Sequence, residues 1–223
     1  TVPVTDDGIV ETAETFVVNL SNPSGAGLDV GDISLADGTG QATITDNNGT
    51  AYVSINDVSV NEDSGAATFT VSISPRVDTP VDVTVGYGDP ADTATSGSDY
   101  TAAPTKVTIP ALSYSVTFDV EITNDNLVEQ ATEAFTVTLS NPTATTAGRS
   151  VELGTATGQG TITDDDGGAT VSIGDVTVAE GDSQATFTVS LDKPVDIDLT
   201  VDLRTANGSA TAGSDYEAVV DST

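Results

Sequence analysis

Residues Ala66–Ile73 read AATFTVSI, a stretch in which apolar and polar side chains alternate. Phe69, Val71 and Ile73 fall on one side of this alternation, and Thr and Ser residues occupy the other. A period of two with enrichment in Val and Thr is typical of a strand with one buried face. Almost the same pattern returns as QATFTVSL at Gln184–Leu191. The stretch therefore predicts a β-strand that belongs to a repeated unit.

Other blocks return with the same order along the chain. The run ETAETFVVNLSNP at Glu11–Pro23 returns as EQATEAFTVTLSNP at Glu129–Pro142. The run TGQATITDNNG at Thr39–Gly49 returns as TGQGTITDDDG at Thr157–Gly167, and both blocks begin 118 residues before their second copies. A single repeat period therefore covers the chain.

The domain boundaries expected from this period give one complete repeat and two partial ones. We predict the C-terminal part of a repeat at residues 1–49, a complete repeat at 50–167, and the N-terminal part of a third at 168–223. The two partial repeats, at 1–49 and 168–223, are nearly complementary parts of one repeat. Two explanations fit this pattern: excision from a longer array, or pairing of the partial units between chains.

Further alternating runs occur at Val81–Val85, Tyr114–Ile122 and Phe135–Leu139. They are short, they are separated by Gly, Asp, Asn and Pro, and no segment has the periodicity of a helix. About seven such strands per repeat indicate an antiparallel β-sandwich. We therefore predict an all-β fold of tandem sandwiches of the immunoglobulin or fibronectin III kind.

The charge of the chain excludes several classes of partner. It has 35 Asp and Glu against 5 Lys and Arg, a net charge of −30. Such a chain repels nucleic acid and anionic lipid, and no apolar run reaches the roughly 20 residues that span a bilayer. It contains no Cys and no His, and therefore lacks the thiolate and imidazole ligands of soft-metal and transition-metal sites. Hard cations, above all Ca²⁺, are the partners that its carboxylates favour.

Acidic residues of the central repeat gather where the predicted strands end. The run NDN at 124–126 follows one strand and the run DDD at 164–166 follows another. If these loops converge at one end of the sandwich, two like charges about 4 Å apart would cost on the order of 4 kcal/mol at an effective dielectric near 20. A cation would relieve that cost. Isolated acidic residues such as Asp89 and Asp92 are better explained as turn formers.

Four ordered motifs resemble the Calx-beta repeat family. They are NEDSG around Glu62, SGSDY at Ser96–Tyr100, the block NDNLVEQATEAFTVTLSNP at Asn124–Pro142, and GTITDDDG at Gly160–Gly167. The resemblance covers essentially the full length of the chain. The family occurs in sodium–calcium exchangers, an integrin cytoplasmic region and very large bacterial surface proteins, so the resemblance implies a Calx-beta type sandwich that binds calcium.

The resemblance also implies the ligands. In the central repeat they are Glu62, Asp99, Asp125, the carbonyl of Leu127, Glu129, Glu133, Asp164, Asp165 and Asp166. In the first, partial repeat they are Asp6, Asp7, Glu11, Glu14 and Asp46. In the third repeat the set is incomplete and consists of Glu180 and Asp215. Glu129 and Glu133 are four residues apart, whereas Glu11 and Glu14 have the three-residue spacing usual in the family. This one-residue insertion therefore places Glu133 outside the spacing that is usual for a ligand in the family.

Asp57 and Asp175 occupy equivalent places near the repeat boundaries, where the linkers are short. We therefore expect calcium at each junction to neutralise facing carboxylates and to stiffen the array.

The function expected from these observations is that of a calcium-binding structural extender in a large, secreted or cell-surface adhesin-like protein of bacterial type. Its partners would be calcium ions, neighbouring repeats and, through other domains, a surface or matrix ligand. We do not expect an enzyme, because no carboxylate pair is marked out from the repeated motifs as a catalytic pair would be. A carbohydrate- or protein-binding adhesion module and a calcium sensor are the alternatives.

Overall fold

The computed structural model describes residues 1–29 and 31–219. In chain order its strands are β1 (Ile9–Val10), β2 (Glu14–Asn19), β3 (Thr39–Ile44), β4 (Thr50–Ile55), β5 (Val58–Asn61), β6 (Ala66–Ser74), β7 (Arg76–Val77), β8 (Val81–Tyr87), β9 (Lys106–Ile109), β10 (Ser115–Glu121), β11 (Glu133–Ala144), β12 (Ser150–Leu153), β13 (Thr157–Thr163), β14 (Val171–Ile173) and β15 (Val189–Leu191). One turn of 3₁₀ helix spans Glu62–Ser64. Across these described ranges, no helix has the length and apolar character needed to cross a membrane.

The chain forms two compact units. The first contains residues 1–124 and 132–163, which include β1 to β13. The second contains the segment 125–131 and the residues from 164 onward, which include β14 and β15.

Two sheets of the first unit form a β-sandwich. One sheet has the strand order β10-β6-β4-β12 and the other has the order β5-β13-β11-β8-β9. Their strand pairs are antiparallel except β4 with β12 and β5 with β13, which are parallel. The sheets contain nine strands, because the stretch Thr50–Asn61 passes from one sheet to the other as β4 and β5, and β12 adds an edge strand. The predicted all-β sandwich fold is confirmed.

Alternation along the strands builds the core. Phe69, Val71 and Ile73 of β6 are buried, and the residues between them face outward, as their sequence pattern predicts. Phe69 of one sheet meets Phe135 of the other with ring centroids 6.0 Å apart, and Phe135 stacks on Tyr100 at 4.3 Å. Aromatic side chains of both sheets therefore fill the centre of the sandwich.

Strands β2 and β3 belong to the first, partial repeat and pair as an antiparallel hairpin. The short strand β1 pairs in parallel with β7 of the central repeat, with Ile9 opposite Arg76 and Val10 opposite Val77. Val10 and Val77 are each 2% exposed, and this contact therefore extends the core of the first unit.

In the second unit, β14 and β15 form an antiparallel pair. Their side chains are exposed, as is Phe187, which corresponds to the buried Phe69 of the central repeat. The sequence pattern of a half-buried strand is therefore present in both repeats, but among the described residues only the central one has a second sheet to cover it.

Candidate metal centre

Strand pairing places the first acidic residues side by side. Strands β5 and β13 run in parallel, with Asn61 opposite Thr163, so that Glu62 and Asp164 leave their strands at the same end of the sheet. Glu62 opens the 3₁₀ turn and is only 4% exposed. Gly65 ends this turn at a φ of 73°, a left-handed conformation that glycine adopts at little cost. The chain therefore turns directly into β6 beyond the acidic residue.

Glu62, Asp164 and Asp166 form the first acidic group. Each offers a carboxylate oxygen, and these oxygens all lie within 4.8 Å of one another. All three side chains are buried or partly buried. Three anionic ligands at this separation can hold one cation.

Asp99, Glu129 and Glu133 form the second acidic group, with the same 4.8 Å limit between carboxylate oxygens. Glu133 begins β11 opposite Ile162 of β13 and is 9% exposed. The loop that carries Asp99 is held by the bridge between Tyr100 and Ile122 and by a hydrogen bond of 2.9 Å from Thr123 N to Asp99 O. The ends of several strands therefore build both groups.

Asp164 is fixed by backbone donors. Its Oδ2 accepts a hydrogen bond of 3.2 Å from Glu129 N, and its Oδ1 accepts one of 2.9 Å from Asp166 N. Asp164 belongs to the first acidic group and Glu129 to the second. The hydrogen bond from Glu129 therefore links the two groups through the backbone.

The donor set fits a hard divalent cation. Every ligand is a carboxylate oxygen, the type that Ca²⁺ and Mg²⁺ prefer. Asp166 Oδ2 is buried and accepts no hydrogen bond within the described part of the chain. A buried carboxylate oxygen without a donor is costly unless a cation occupies its coordination direction. These residues could therefore hold a metal ion.

The remaining candidates of the central repeat lie outside the two groups. Asp125 accepts a hydrogen bond of 2.6 Å from Leu127 N, a local turn that shapes the loop before Glu129. Asp165 is exposed. Asp57 accepts a hydrogen bond of 2.8 Å from Gln159 N, so its carboxylate stabilises the backbone near the start of β13.

The inserted residue before Glu133 does not displace this side chain from its place in the sheet. In the first repeat Glu14 begins β2 opposite Ile44, and in the central repeat Glu133 begins β11 opposite Ile162. Ile44 and Ile162 are equivalent positions 118 residues apart. The loop between Glu129 and β11 therefore absorbs the insertion, and Glu133 occupies the place of Glu14.

The first repeat builds its acidic loops in the same way. Ile9 N donates to Asp7 Oδ1 at 2.9 Å, and Glu11 N and Asn48 N donate to Asp46 at 3.1 and 3.0 Å. All five candidates of this repeat line one open cleft: Asp6, Asp7, Glu11, Glu14 and Asp46.

Charge accumulates in this cleft. Burial and the carboxylates around it, Asp7 first among them, raise the pKa of Glu11. Burial also acts to raise the pKa of Asp46, but hydrogen bonds from the backbone of Asn48 and Glu11 outweigh it and lower this pKa. Within one cleft, therefore, Asp46 favours its ionised form and Glu11 resists ionisation.

The candidates of the third repeat are not brought together. Asp215 accepts a hydrogen bond of 2.7 Å from Thr211 N, in the same loop geometry as Asp99, which accepts one from Thr95 N. Glu180 and Asp175 are exposed. Neither group of three carboxylates contains a residue of this repeat.

Two basic residues beside the acidic loops were not identified by the sequence analysis. Lys193 Nζ lies 3.5 Å from Asp166 Oδ1 and also donates to the carbonyl of Asp166. Arg149 binds both carboxylate oxygens of Asp78, with a distance of 2.7 Å from Nε to Oδ1. Their scarcity was the signal that could have found them, because a chain with only 5 Lys and Arg places each cation among many carboxylates.

Solved structures that are similar to this chain include two that contain Calx calcium-binding domains, named CBD in their descriptions. The chain is similar to a crystal structure of CBD12 from CALX1.2, with 23% identity over 52% of this chain and 44% of that one, and a TM-score of 0.45. It is also similar to the apo-form Calx CBD1 domain, with 22% identity, 52% and 99% coverage and a TM-score of 0.44. The chain thus spans less than half of the first of these structures. A comparison with curated protein sequences finds no match.

The Calx-beta domain model matches the chain three times. The matched ranges are residues 1–48, 44–166 and 163–222. The second range contains both acidic groups, and together the three cover nearly the whole chain. The chain therefore belongs to the Calx-beta domain family.

Proposed function

We propose that this chain is a calcium-binding structural segment in which Ca²⁺ stiffens an array of Calx-beta domains. The observation that carries the proposal is the group of Glu62, Asp164 and Asp166, whose carboxylate oxygens lie within 4.8 Å of one another. The buried, unbonded Oδ2 of Asp166 adds a ligand position that no protein donor among the described residues satisfies.

Electrostatics give the physical reason for a cation. Each pair of carboxylates about 4 Å apart costs on the order of 4 kcal/mol at an effective dielectric near 20. The central repeat holds two groups of three such residues, and the chain as a whole carries a net charge of −30. Ca²⁺ accepts six to eight oxygen ligands in a flexible geometry, whereas Mg²⁺ requires a stricter octahedron. Loops that supply carboxylates from several strand ends therefore favour Ca²⁺.

The stiffening role follows from where the ligands lie along the chain. Asp164 and Asp166 directly follow β13, at the boundary between the central and third repeats. Ion binding would fix this linker against residues that the sandwich already holds, such as the buried Glu62. An ordered linker restricts the angles that neighbouring repeats can adopt.

Near-identical repetition, high negative charge and the absence of Cys support an extender in a secreted or cell-surface adhesin-like protein. We propose a role without catalysis, because the acidic residues belong to a motif that recurs in each repeat rather than to one distinctive pair.

Calorimetry and thermal unfolding of the full chain test the metal assignment. Titration with CaCl₂ should release or absorb heat with saturation, and the melting temperature should rise with free Ca²⁺ because the ion binds the folded state. At a concentration 100 times the dissociation constant, the added stability would be about 2.7 kcal/mol. Absence of both effects at millimolar Ca²⁺ would overturn the assignment.

Small-angle X-ray scattering tests the stiffening separately. The maximum dimension of the chain should increase when Ca²⁺ replaces a chelator, and MgCl₂ at the same ionic strength serves as the control. An unchanged dimension together with measured Ca²⁺ binding would reject stiffening and leave the metal site in place.

A further inference from the structure

The described residues include two junctions between repeats, and the same backbone pairing occurs at both. At the first, Val10 of the first repeat pairs in parallel with Val77 of the central repeat. At the second, Val128 of the central repeat pairs in parallel with Val195 of the third. Val128 and Val195 lie 118 residues after Val10 and Val77. The pairing thus recurs with the period of the repeat.

The hydrogen bonds at the junctions recur as well. Asp78 N donates to Val10 O at 3.3 Å, and its equivalent, Asp196 N, donates to Val128 O at the same distance. At the second junction Val128 N also donates to Pro194 O at 3.0 Å. Because each contact uses backbone groups, it fixes the register of the two paired segments.

A cation of the following repeat also lies near the acidic end of the preceding one at each junction, and within the described part of the chain it forms an ion pair there at the second junction alone. At the second junction, Lys193 of the third repeat lies 3.5 Å from Asp166 of the central repeat. At the first, Arg149 pairs with Asp78 of its own repeat, and the negative charges of Glu11 and Glu14 of the preceding repeat favour its cationic form. These two residues are a large share of the 5 cations in the chain.

We propose that this arrangement is a head-to-tail docking surface carried by each repeat, and that its partner is the acidic end of the preceding repeat. The preceding repeat supplies the segment that follows its first acidic loop, Ile9–Val10 or Leu127–Val128. The following repeat supplies the edge segment Arg76–Val77 or Pro194–Val195 and one cation. The partner is therefore another copy of the same repeat, in head-to-tail order.

The two components have different physical roles. The backbone pairing sets the register, and at the first junction it buries Val10 and Val77 to 2% exposure. The cations supply charge complementarity, which favours the acidic end of another repeat over a neutral surface. The surface uses protein groups alone, and therefore goes beyond the calcium-dependent function proposed above.

Disulfide trapping in the full chain tests the register. The chain contains no Cys, so that a double variant Val128→Cys with Val195→Cys has only one possible intramolecular disulfide. Paired residues on adjacent strands lie about 4.8 Å apart, within the range of Cα separations that a disulfide spans. Oxidation of the dilute native variant should crosslink it at least about tenfold faster than the same variant in urea, because only the folded chain holds this geometry.

The matched control moves one cysteine out of register. Val128→Cys with Ile197→Cys places the second thiol two residues further along the strand, at an exposed position. This pair should crosslink at the rate of the unfolded chain. Equal rates for both pairs in the native state would overturn the proposal. The pair Ile9→Cys with Arg76→Cys repeats the test at the first junction, so that misfolding of one variant leaves the other informative.

A charge reversal tests the cation. Lys193→Glu should slow the trapping of the Val128 and Val195 pair by about threefold at low salt, the effect of one partly exposed ion pair. Arg204→Glu makes the same charge change at an exposed position that has no ion pair in the described structure, and should leave the rate unchanged. An equal effect of both variants would show that only net charge matters and would reject the role of Lys193.

The result in chelator separates this proposal from the calcium function. In-register trapping should persist without Ca²⁺, because the pairing uses backbone and apolar groups. Trapping that requires Ca²⁺ would overturn the docking surface as a metal-independent device and leave calcium binding supported. If the chain is trapped in register in chelator and no Ca²⁺ binding is measured, the docking surface is supported and the calcium function is rejected.

Discussion

The backbone N–H of Glu129 donates to Oδ2 of Asp164 across 3.2 Å, and in the preceding repeat Glu11 donates to Oδ2 of Asp46 across 3.1 Å. Both members of the second pair lie 118 residues before those of the first. The same geometry therefore forms in a complete and in a partial repeat. Local backbone structure shapes these acidic loops in both repeats, but among the described residues only the central repeat brings groups of three carboxylates within 4.8 Å of one another.

The substitution Asp164→Asn should weaken calcium binding. It removes one charge from the group with Glu62 and Asp166, while the remaining amide oxygen can still accept one backbone hydrogen bond. We expect an affinity loss of at least about 10- to 100-fold, comparable with loss of a supporting group at a metal site. Isothermal titration with CaCl₂ measures it.

Asp46→Asn is the matched control, because Asp46 accepts the equivalent hydrogen bond in the first repeat but belongs to neither group of three carboxylates. It should leave the calcium-dependent rise in melting temperature nearly unchanged. If both variants weaken binding equally, the central repeat does not hold the principal site.

The substitution Gly160→Ala should destabilise the sandwich. A Cβ atom at Gly160 would lie 2.2 Å from Cζ of the Phe135 ring, and Phe135 is fully buried. Overpacking of this kind typically costs about 1–3 kcal/mol. Urea unfolding followed by circular dichroism would measure the change in free energy of unfolding.

Gly86→Ala supplies the comparison at another strand glycine. Its added Cβ would meet only Thr138 O at 3.7 Å, an ordinary contact. A loss of stability from Gly86→Ala as large as that from Gly160→Ala would show that loss of glycine, and not the Phe135 ring, causes the effect. Position 42, the equivalent of 160 in the first repeat, is Ala.

The substitution Phe69→Ala should remove the centre of the core. Phe69 is fully buried between Phe118 at 5.7 Å and Phe135 at 6.0 Å. Truncation of such a side chain costs about 3–5 kcal/mol because a cavity remains. The equivalent substitution Phe187→Ala, at a side chain that is 52% exposed, should change the free energy of unfolding by less than about 0.5 kcal/mol. Similar losses in urea unfolding would contradict the burial difference.

Stability should fall at alkaline pH because of Tyr87. Burial, with a smaller contribution from Tyr100, raises the pKa of Tyr87 from 10.0 to about 12, and its hydroxyl donates to Pro104 O at 3.0 Å. The folded state therefore holds its proton more tightly than the unfolded state. This contribution is complete below pH 10 and is lost as the pH rises toward about 12.

Urea unfolding at pH 9 to 12 would test this, in the wild type and in Tyr87→Phe. The variant should lose about 1 kcal/mol at neutral pH, the worth of one hydrogen bond. Its stability should then decline less steeply above pH 10. Identical slopes in the two proteins would exclude Tyr87 as a source of the alkaline loss.

The sequence determined the fold class through strictly local signals. Alternation in the stretch Ala66–Ile73 requires one buried face, and the structure buries Phe69, Val71 and Ile73. The repeat period likewise identified equivalent residues in the two repeats, because similar sequences fold into similar loops. The hydrogen bonds to Asp46 and Asp164 are an example.

Only the tertiary structure decided which carboxylates meet. Asp57, Asp164 and Asp165 have the same side chain, yet of these three only Asp164 lies beside Glu62, because parallel pairing of β5 with β13 brings those two strand ends together. The same holds for Glu133, whose place is set by its register with Ile162 and not by its distance from Glu129 in sequence. The junction cations were hidden for the same reason. Contacts such as Lys193 with Asp166 depend on packing between repeats, whereas the sequence pattern records only the burial and turns within each repeat.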